Sequence, residues 1–429
     1  MGRQAALTAE AGHLEAVKVV RRGVLVALAG GLLLLALLLR LAVVDIKARE
    51  PYRAPISERD ISRLTETMTL EQKVGQLMLV GLKGYEADDA VKEMIRARHV
   101  GGIILFKKNI RDTAQVKNLI AGLQGFAADT GNLPLFMAVD QEWGPVNRFK
   151  AGLTEFPGPK LMGKRATASL ASTAARDTAE EIKSLGFNIN FAPVLDLAYD
   201  DGVMCSRSYG NRPETVTNLG AAATAGTQAG GIIAAAKHFP GLGRGLTDLH
   251  KGPVEIAASA SALEASDLVP FAEAVRQKVP MVMLSSAIYT ELDHRQPACI
   301  SPPIVQGLLR QKLGYQGVII TDDLEMKATL ASDTVGGLAV RAIAAGSDII
   351  LVCHSPEQQK QAYEALLTAC QTKQISEERL DESVRRILKL KCEYKVGADI
   401  KPDSTAKAGK LEEHKRDAEQ IWAKVKAVE

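Results

Sequence analysis

Ile232-Ile233-Ala234-Ala235-Ala236-Lys237-His238-Phe239-Pro240-Gly241-Leu242-Gly243-Arg244-Gly245-Leu246-Thr247-Asp248-Leu249-His250 holds both a strand and the loop that leaves it. The apolar run from Ile232 to Ala236 reads as a strand buried on both faces, as in a parallel sheet. Lys237 and His238 then fall at its carboxyl end, where α/β barrels gather functional groups. Pro240, Gly241 and Gly243 break regular structure, so the segment stands off and can fold back over a ligand. It carries Asp248 and His250, a candidate acid/base pair.

Seven further apolar runs surround this one, at 76–82, 100–106, 135–140, 187–194, 280–285, 317–321 and 348–353. Helical segments separate them: 167–185 is rich in Ala and charge, 267–278 has an aspartate in the cap position, and 302–313 ends before Gly314. Thr69-Leu70-Glu71-Gln72 is a capping box that opens a short helix before the first run. Eight strand-like runs alternating with helices predict a (β/α)8 TIM barrel over residues 65–395. A doubly wound open sheet is the competing architecture, but no G-x-G-x-x-G follows the first strand.

The 429 residues carry 46% hydrophobic and 24% charged side chains, a net charge of +3 and 4% aromatics, a globular composition without a nucleic-acid-binding stripe. The five cysteines, at 205, 299, 353, 370 and 392, form no CxxC and no zinc-like spacing, and read mostly as small apolar core residues. No metal and no organic cofactor is implied.

The amino terminus reads as a signal anchor. Residues 1–22 are basic, with Arg3, Lys18, Arg21 and Arg22, and residues 23–44 are apolar except for Arg40, which can snorkel to the interface. No A-x-A-like site follows, so the expectation is an uncleaved transmembrane helix in the cytoplasmic membrane with the rest of the chain on the extracytoplasmic side. A cleaved signal peptide, twin-arginine in type given Arg21-Arg22, is the alternative. Residues 45–64, with Pro51 and Pro55, read as a linker. Residues 396–429 form a charged tail, either a surface helix or partly disordered, anchored by Leu411, Ile421, Trp422 and Val425.

A barrel places its chemistry where strands end. The third run ends in Asp140-Gln141-Glu142 with Arg148 close behind, and Arg207 lies in the loop after the fourth. Lys237 and His238 end the fifth run, and Thr321-Asp322-Asp323 the seventh. Each has a structural alternative: Glu142 and Asp323 read equally as helix N-caps, and the cations as partners of nearby carboxylates. Their gathering at one mouth is what those alternatives do not predict. There is no HExxH, P-loop or suitably placed G-x-S-x-G. Two reactions remain open: glycoside hydrolysis and Schiff-base aldol chemistry on Lys237.

Met68-Thr69-Leu70-Glu71-Gln72-Lys73-Val74-Gly75-Gln76, Gly101-Gly102-Ile103-Ile104-Leu105-Phe106, Asp140-Gln141-Glu142, Asn190-Phe191-Ala192-Pro193-Val194-Leu195-Asp196, Lys237-His238-Phe239-Pro240-Gly241, Asp267-Leu268-Val269-Pro270-Phe271 and Thr321-Asp322-Asp323-Leu324-Glu325-Met326 occur in that order. Together they resemble glycoside hydrolase family 3, and within it the single-domain β-N-acetylhexosaminidases of the NagZ type. The resemblance implies Asp322 as nucleophile, His250 as general acid/base and Asp248 as its orienting partner. It also implies that Asp140, Arg148, Arg207, Lys237 and His238 grip the terminal sugar. With the anchor it points to β-linked GlcNAc in peptidoglycan fragments or muropeptides as substrate, and to a monomer. Other β-glycosides and a non-catalytic glycan-binding role stay open.

Two positions depart from that pattern. Trp143-Gly144-Pro145 stands where these hexosaminidases read G-G-R, and Leu242 where they carry a loop histidine. Trp143 can either stack on a sugar or pack beneath the loop.

Overall fold

In the computed structural model, residues 56–149, 151–199, 202–249, 251–397 and 404–426 are described. Eight parallel strands close a barrel: β1 (Met78–Gly81), β2 (Gly102–Leu105), β3 (Phe136–Val139), β4 (Ile189–Asn190), β5 (Ile233–Phe239), β6 (Met281–Leu284), β7 (Val318–Asp323) and β8 (Ile349–Val352). Neighbours in sequence are neighbours in space, and β1 pairs with β8, Met78 opposite Ile350, which excludes an open sheet. The runs are apolar throughout because both faces are covered. Leu79, Ile104, Phe136, Ile233, Met281 and Ile320 fill the interior, while alternate residues face the helices.

Only two residues of the fourth run are regular strand. Pro193 supplies no backbone N–H, yet irregular pairing continues: Ala235 N–H donates to Ala192 O (3.0 Å) and Leu195 N–H to Lys237 O (2.7 Å). β5 instead runs on to Phe239 and β7 to Asp323, past the ends of their apolar runs, so that Lys237, His238, Asp322 and Asp323 belong to the barrel wall.

The helices follow their local signals. Thr69 and Gln72 cap each other's backbone N–H at 3.0 and 3.3 Å. Ala168–Ser184 matches its prediction. Pro303–Lys312 is wound more widely, with Leu313 N–H reaching back to Leu308 O at 3.0 Å. Asp267 is a correction: it makes no capping bond, and its buried Oδ2 instead accepts from Arg244 Nε (2.9 Å), Tyr199 OH (3.2 Å) and Ser266 Oγ (2.7 Å).

The later part of the expected linker, residues 45–64, is helical. Glu58–Thr67 is a helix whose Ser57 N–H is capped by Asp60 (3.1 Å), and its buried Leu64 packs into the main core. The 1–22 segment, the 23–44 run and residues 45–55 lie outside the described residues. Among the described residues no helix is long and apolar enough to cross a membrane.

The tail forms the helix Ser404–Lys426. Ile421 and Val425 are buried, together with Ala418 and His414, whereas Leu411 is exposed. Cys299 and Cys353 are buried thiols.

Candidate active site

A cavity of about 450 Å³ opens at the carboxyl ends of the strands and is lined by Asp140, Arg148, Arg207, Lys237, His238, Asp248 and Asp322. Seven of the eight predicted site residues thus meet in one place. His250, the eighth, lies outside the described residues. The wall includes Phe106, Leu242, Asp323 and His354.

Adjacent strand residues normally point to opposite faces, yet Lys237 and His238 both reach this cavity, as do Asp322 and Asp323. Each pair sits at a shift of register. On β5, Lys237 faces Met283 and Phe239 faces Leu284, leaving His238 as the extra residue. On β7, the four residues from Ile320 to Asp323 oppose three on β8, Ile349 to Leu351. Bulges re-aim side chains in this way, and here they turn two consecutive residues into the mouth. The Lys237–His238 peptide is cis.

The charged groups form an alternating ladder. Arg148 Nη2 meets Asp140 Oδ2 at 3.0 Å, and Lys237 Nζ meets Asp140 Oδ1 at 2.8 Å. The same Nζ lies 2.7 Å from Glu142 Oε1, and Arg207 holds Glu142 through Nε (2.9 Å) and Nη2 (2.7 Å). Lys237 and Glu142 are 1% and 7% exposed, so these are buried, hydrogen-bonded pairs. Burial pushes the Glu142 carboxyl up, but Lys237 and Arg207 outweigh it and hold it down at about 2. Asp140 likewise overcomes its burial through Lys237 and Arg148 and stays below the usual range. Glu142 caps no helix. A Schiff-base lysine needs its amine desolvated away from anions, and Lys237 Nζ contacts two carboxylates.

Local bonds shape the hairpin that carries Arg148. Gln141 N–H donates to Asn190 Oδ1 (2.9 Å), Asn190 Nδ2 donates to Gln141 O (3.0 Å), and Gln141 Oε1 accepts Arg148 N–H (3.1 Å). Trp143 resolves its two readings: it is buried, donates Nε1–H to Thr178 Oγ1 at 2.8 Å, and sits edge-on to Phe156 at 6.0 Å. It packs against the helix Ala168–Ser184 and is absent from the cavity lining, so it does not stack on a ligand there.

Asp322 lies across the cavity. Burial raises its carboxyl above the usual value, opposed by His238, the Asp323 N–H bond (2.9 Å) and Lys237. Asp323 is no helix cap: Oδ1 accepts the N–H of Glu325 (3.1 Å) and Cys353 (3.3 Å), and Oδ2 lies 3.2 Å from His354 Nε2.

The loop after β5 is fastened at both ends. Arg244 ties it to Asp267, and Leu249 O accepts Ala328 N–H at 3.2 Å, just beyond β7. A Cβ on Gly243 would sit 1.8 Å from Leu197 O, so only glycine lets this loop lie against the one after β4. Asp248 is exposed at the mouth.

Sequence reasoning assigned no role to Asp196, which is buried and bonds both the ring and the backbone of His238. Its place at the end of the Asn190–Asp196 motif, just after the fourth run, was the available signal. His354 and Phe106 were missed as well, their rings 5.2 Å apart on the cavity rim.

The sequence of residues 69–390 matches the model of the glycosyl hydrolase family 3 N-terminal domain. The chain is 34% identical over 288 residues to a beta-hexosaminidase of Neisseria meningitidis serogroup A, covering 65% of this chain and 78% of that protein. It is 36% identical over 285 residues to a beta-hexosaminidase of Tolumonas auensis, covering 66% and 84%. Among solved structures, a family 3 beta-N-acetylglucosaminidase from Paenibacillus sp. superposes with a TM-score of 0.78 at 40% identity, over 83% of this chain and 69% of that one.

Proposed function

The chain belongs to glycosyl hydrolase family 3 and is a glycoside hydrolase, and from that premise we propose that it is a retaining exo-β-N-acetylglucosaminidase. The observation that carries the reading is the position of Asp322. A half-buried carboxylate lines the same cavity as Arg148, Asp140, Lys237 and Arg207, which Glu142 braces from behind through Lys237 and Arg207. The ladder suits a sugar's hydroxyls and acetamido group, and the Asp322 carboxylate suits attack on its anomeric carbon.

Asp322 Oδ forms a bond to the anomeric carbon as the bond to the departing oxygen breaks, and His250 gives that oxygen its proton. Water then attacks the same carbon, loses its proton to His250, and the ester bond breaks to return the Asp322 carboxylate. Asp248, two residues before His250 on the loop, orients and stabilises the charged imidazole. An imidazole with an ordinary pKa of about 6.5 suits both halves of this cycle near neutral pH.

The apolar run 23–44 with its basic flank supports tethering to the cytoplasmic membrane with the barrel outside. That position favours β-linked GlcNAc of cell-wall glycans as substrate, and resistance of the full-length protein to alkaline carbonate extraction tests it.

The deciding experiment is a screen of aryl β-glycosides. Release of the aryl group from the N-acetylglucosaminide and not the glucoside is expected. Preference for the glucoside would overturn the sugar assignment, and tight binding of N-acetylglucosamine without turnover of any glycoside would overturn catalysis.

A further inference from the structure

The helix Ser404–Lys426 lies beyond the matched family region and packs on Ala168–Ser184. His414 is buried against three carboxylates of that helix: Nδ1 is 3.0 Å from Glu181 Oε1, and Nε2 is 3.4 Å from Glu180 Oε2 and 3.9 Å from Asp177 Oδ1. The other oxygen of Glu181 accepts the Thr154 N–H at 2.8 Å. Two turns further along, Trp422 Nε1–H donates to Glu155 O at 3.0 Å. Two consecutive residues after β3 are therefore held from one helix, the first through Glu181 and the second directly. The next residue, Phe156, is the edge-on partner of Trp143, and Trp143 is bonded to Thr178 of the same supporting helix. Trp143 is covalently next to Glu142.

We propose that His414 and Trp422 are positioning residues for Glu142, clasping the 154–156 segment and the helix beneath Trp143 so that Glu142 keeps its bonds to Lys237 and Arg207. The inference rests on the reading of the mouth as a sugar site, because only then does Glu142, through the cavity-lining Lys237 and Arg207 that it holds, set substrate affinity. Neither residue touches the cavity, so the effect is on binding geometry and not on the reacting atoms.

The clasp has a charge state. The groups facing His414 are Asp177, Glu180 and Glu181. Around them, Arg176 bonds Asp177 (2.7 Å) and reaches Asp417 of the tail helix (3.5 Å), and Lys410 of that helix bonds Glu180 (2.7 Å). Burial lowers the imidazole pKa, but the Glu181 bond and the three carboxylates outweigh it and raise the group above its ordinary value. A raised histidine contributes its full stabilisation below its unfolded value of about 6.5 and loses it as pH climbs through the higher folded value. The clasp is therefore firm in mild acid and loosens on the alkaline side.

The test uses the full chain with His414→Gln, which keeps a donor but no charge, and Trp422→Phe. Each should raise KM for the aryl N-acetylglucosaminide roughly threefold or more while kcat changes less, and His414→Gln should abolish the alkaline rise in KM. Unchanged KM and pH profile in both, or a loss confined to kcat, would overturn the proposal. The chain has two tryptophans, 143 and 422, so Trp422→Phe leaves Trp143 as the sole indole. Its emission should shift with pH in step with His414 and lose that dependence when His414→Gln is added. This readout needs no turnover. A moving emission in a protein that hydrolyses nothing would sink the functional reading and keep the clasp; an active enzyme with pH-independent emission would do the reverse.

Discussion

Asp196 holds His238 at two points: its Oδ2 lies 2.7 Å from the imidazole Nδ1, and its Oδ1 accepts the His238 backbone N–H at 3.1 Å. The same Oδ1 accepts the Leu242 N–H at 2.7 Å, so one buried carboxylate fixes both the ring and the start of the loop after β5. Asp196→Asn removes the charge and replaces the Oδ2 acceptor with a donor, which can meet the His238 Nδ1 only in the other tautomer of the ring. Hydrogen bonds to charged groups contribute about 1.5–3 kcal/mol each, and a stability loss of about that size is expected in chemical denaturation, together with a fall in kcat/KM.

Asp322→Ala removes the carboxylate assigned to attack while leaving the ladder in place. Turnover of an aryl β-N-acetylglucosaminide should fall on the order of 10³-fold or more, with binding of N-acetylglucosamine retained in calorimetry. Unchanged turnover would refute the assignment.

The acid limb of the pH–rate profile follows from the same residue. Asp322 must be ionised to attack, and burial raises its carboxyl against the pull of His238, the Asp323 N–H and Lys237. Activity should therefore fall with decreasing pH at a midpoint above the ordinary aspartate value of about 4, read from kcat/KM of the free enzyme across pH 3 to 7.

Lys237→Met would strand Asp140 and Glu142 beside each other without their shared ammonium. Breaking a buried pair from one side typically costs about 3–5 kcal/mol. Thermal unfolding should show a loss of that order at neutral pH, shrinking in acid as the stranded carboxylates take up protons.

His250→Ala should divide substrates by their leaving groups. An aryl group of low pKa departs without help, whereas an alkyl or sugar oxygen needs a proton in the transition state. A plot of kcat/KM against leaving-group pKa should steepen in the variant; a parallel line would remove His250 from the proton-transfer role.

The barrel was legible because its strands are covered on both faces, so that Met281–Leu284 or Ile349–Val352 reads as an unbroken apolar run. Their ends were legible as places for chemistry. The bulges were not, because the extra residue at His238 is defined by register against Met283 and Leu284, some 45 positions away. Glu142 and Asp323 look like caps locally; their actual partners, Arg207 and His354, come from other loops. Asp267 failed in the same way, since Arg244 and Tyr199 compete for it. In the tail, counting apolar residues found Ile421 and Val425 but missed His414, an anchor only because three carboxylates wait on another helix.

The pairing of β1 with β8 bears on how the chain is made. Met78 finds its partner in Ile350, about 270 positions later. At a synthesis rate of roughly 5–20 residues per second, the first strand emerges from the ribosome at least ten seconds or so before the strand that closes against it, with an uncovered edge throughout. The nascent chain is therefore most exposed to mispairing during translation, and a stall before residue 352 would leave a nearly complete sheet with two open edges. Slow translation of the last third of the message should lower the yield of soluble protein without altering a single contact in the finished fold.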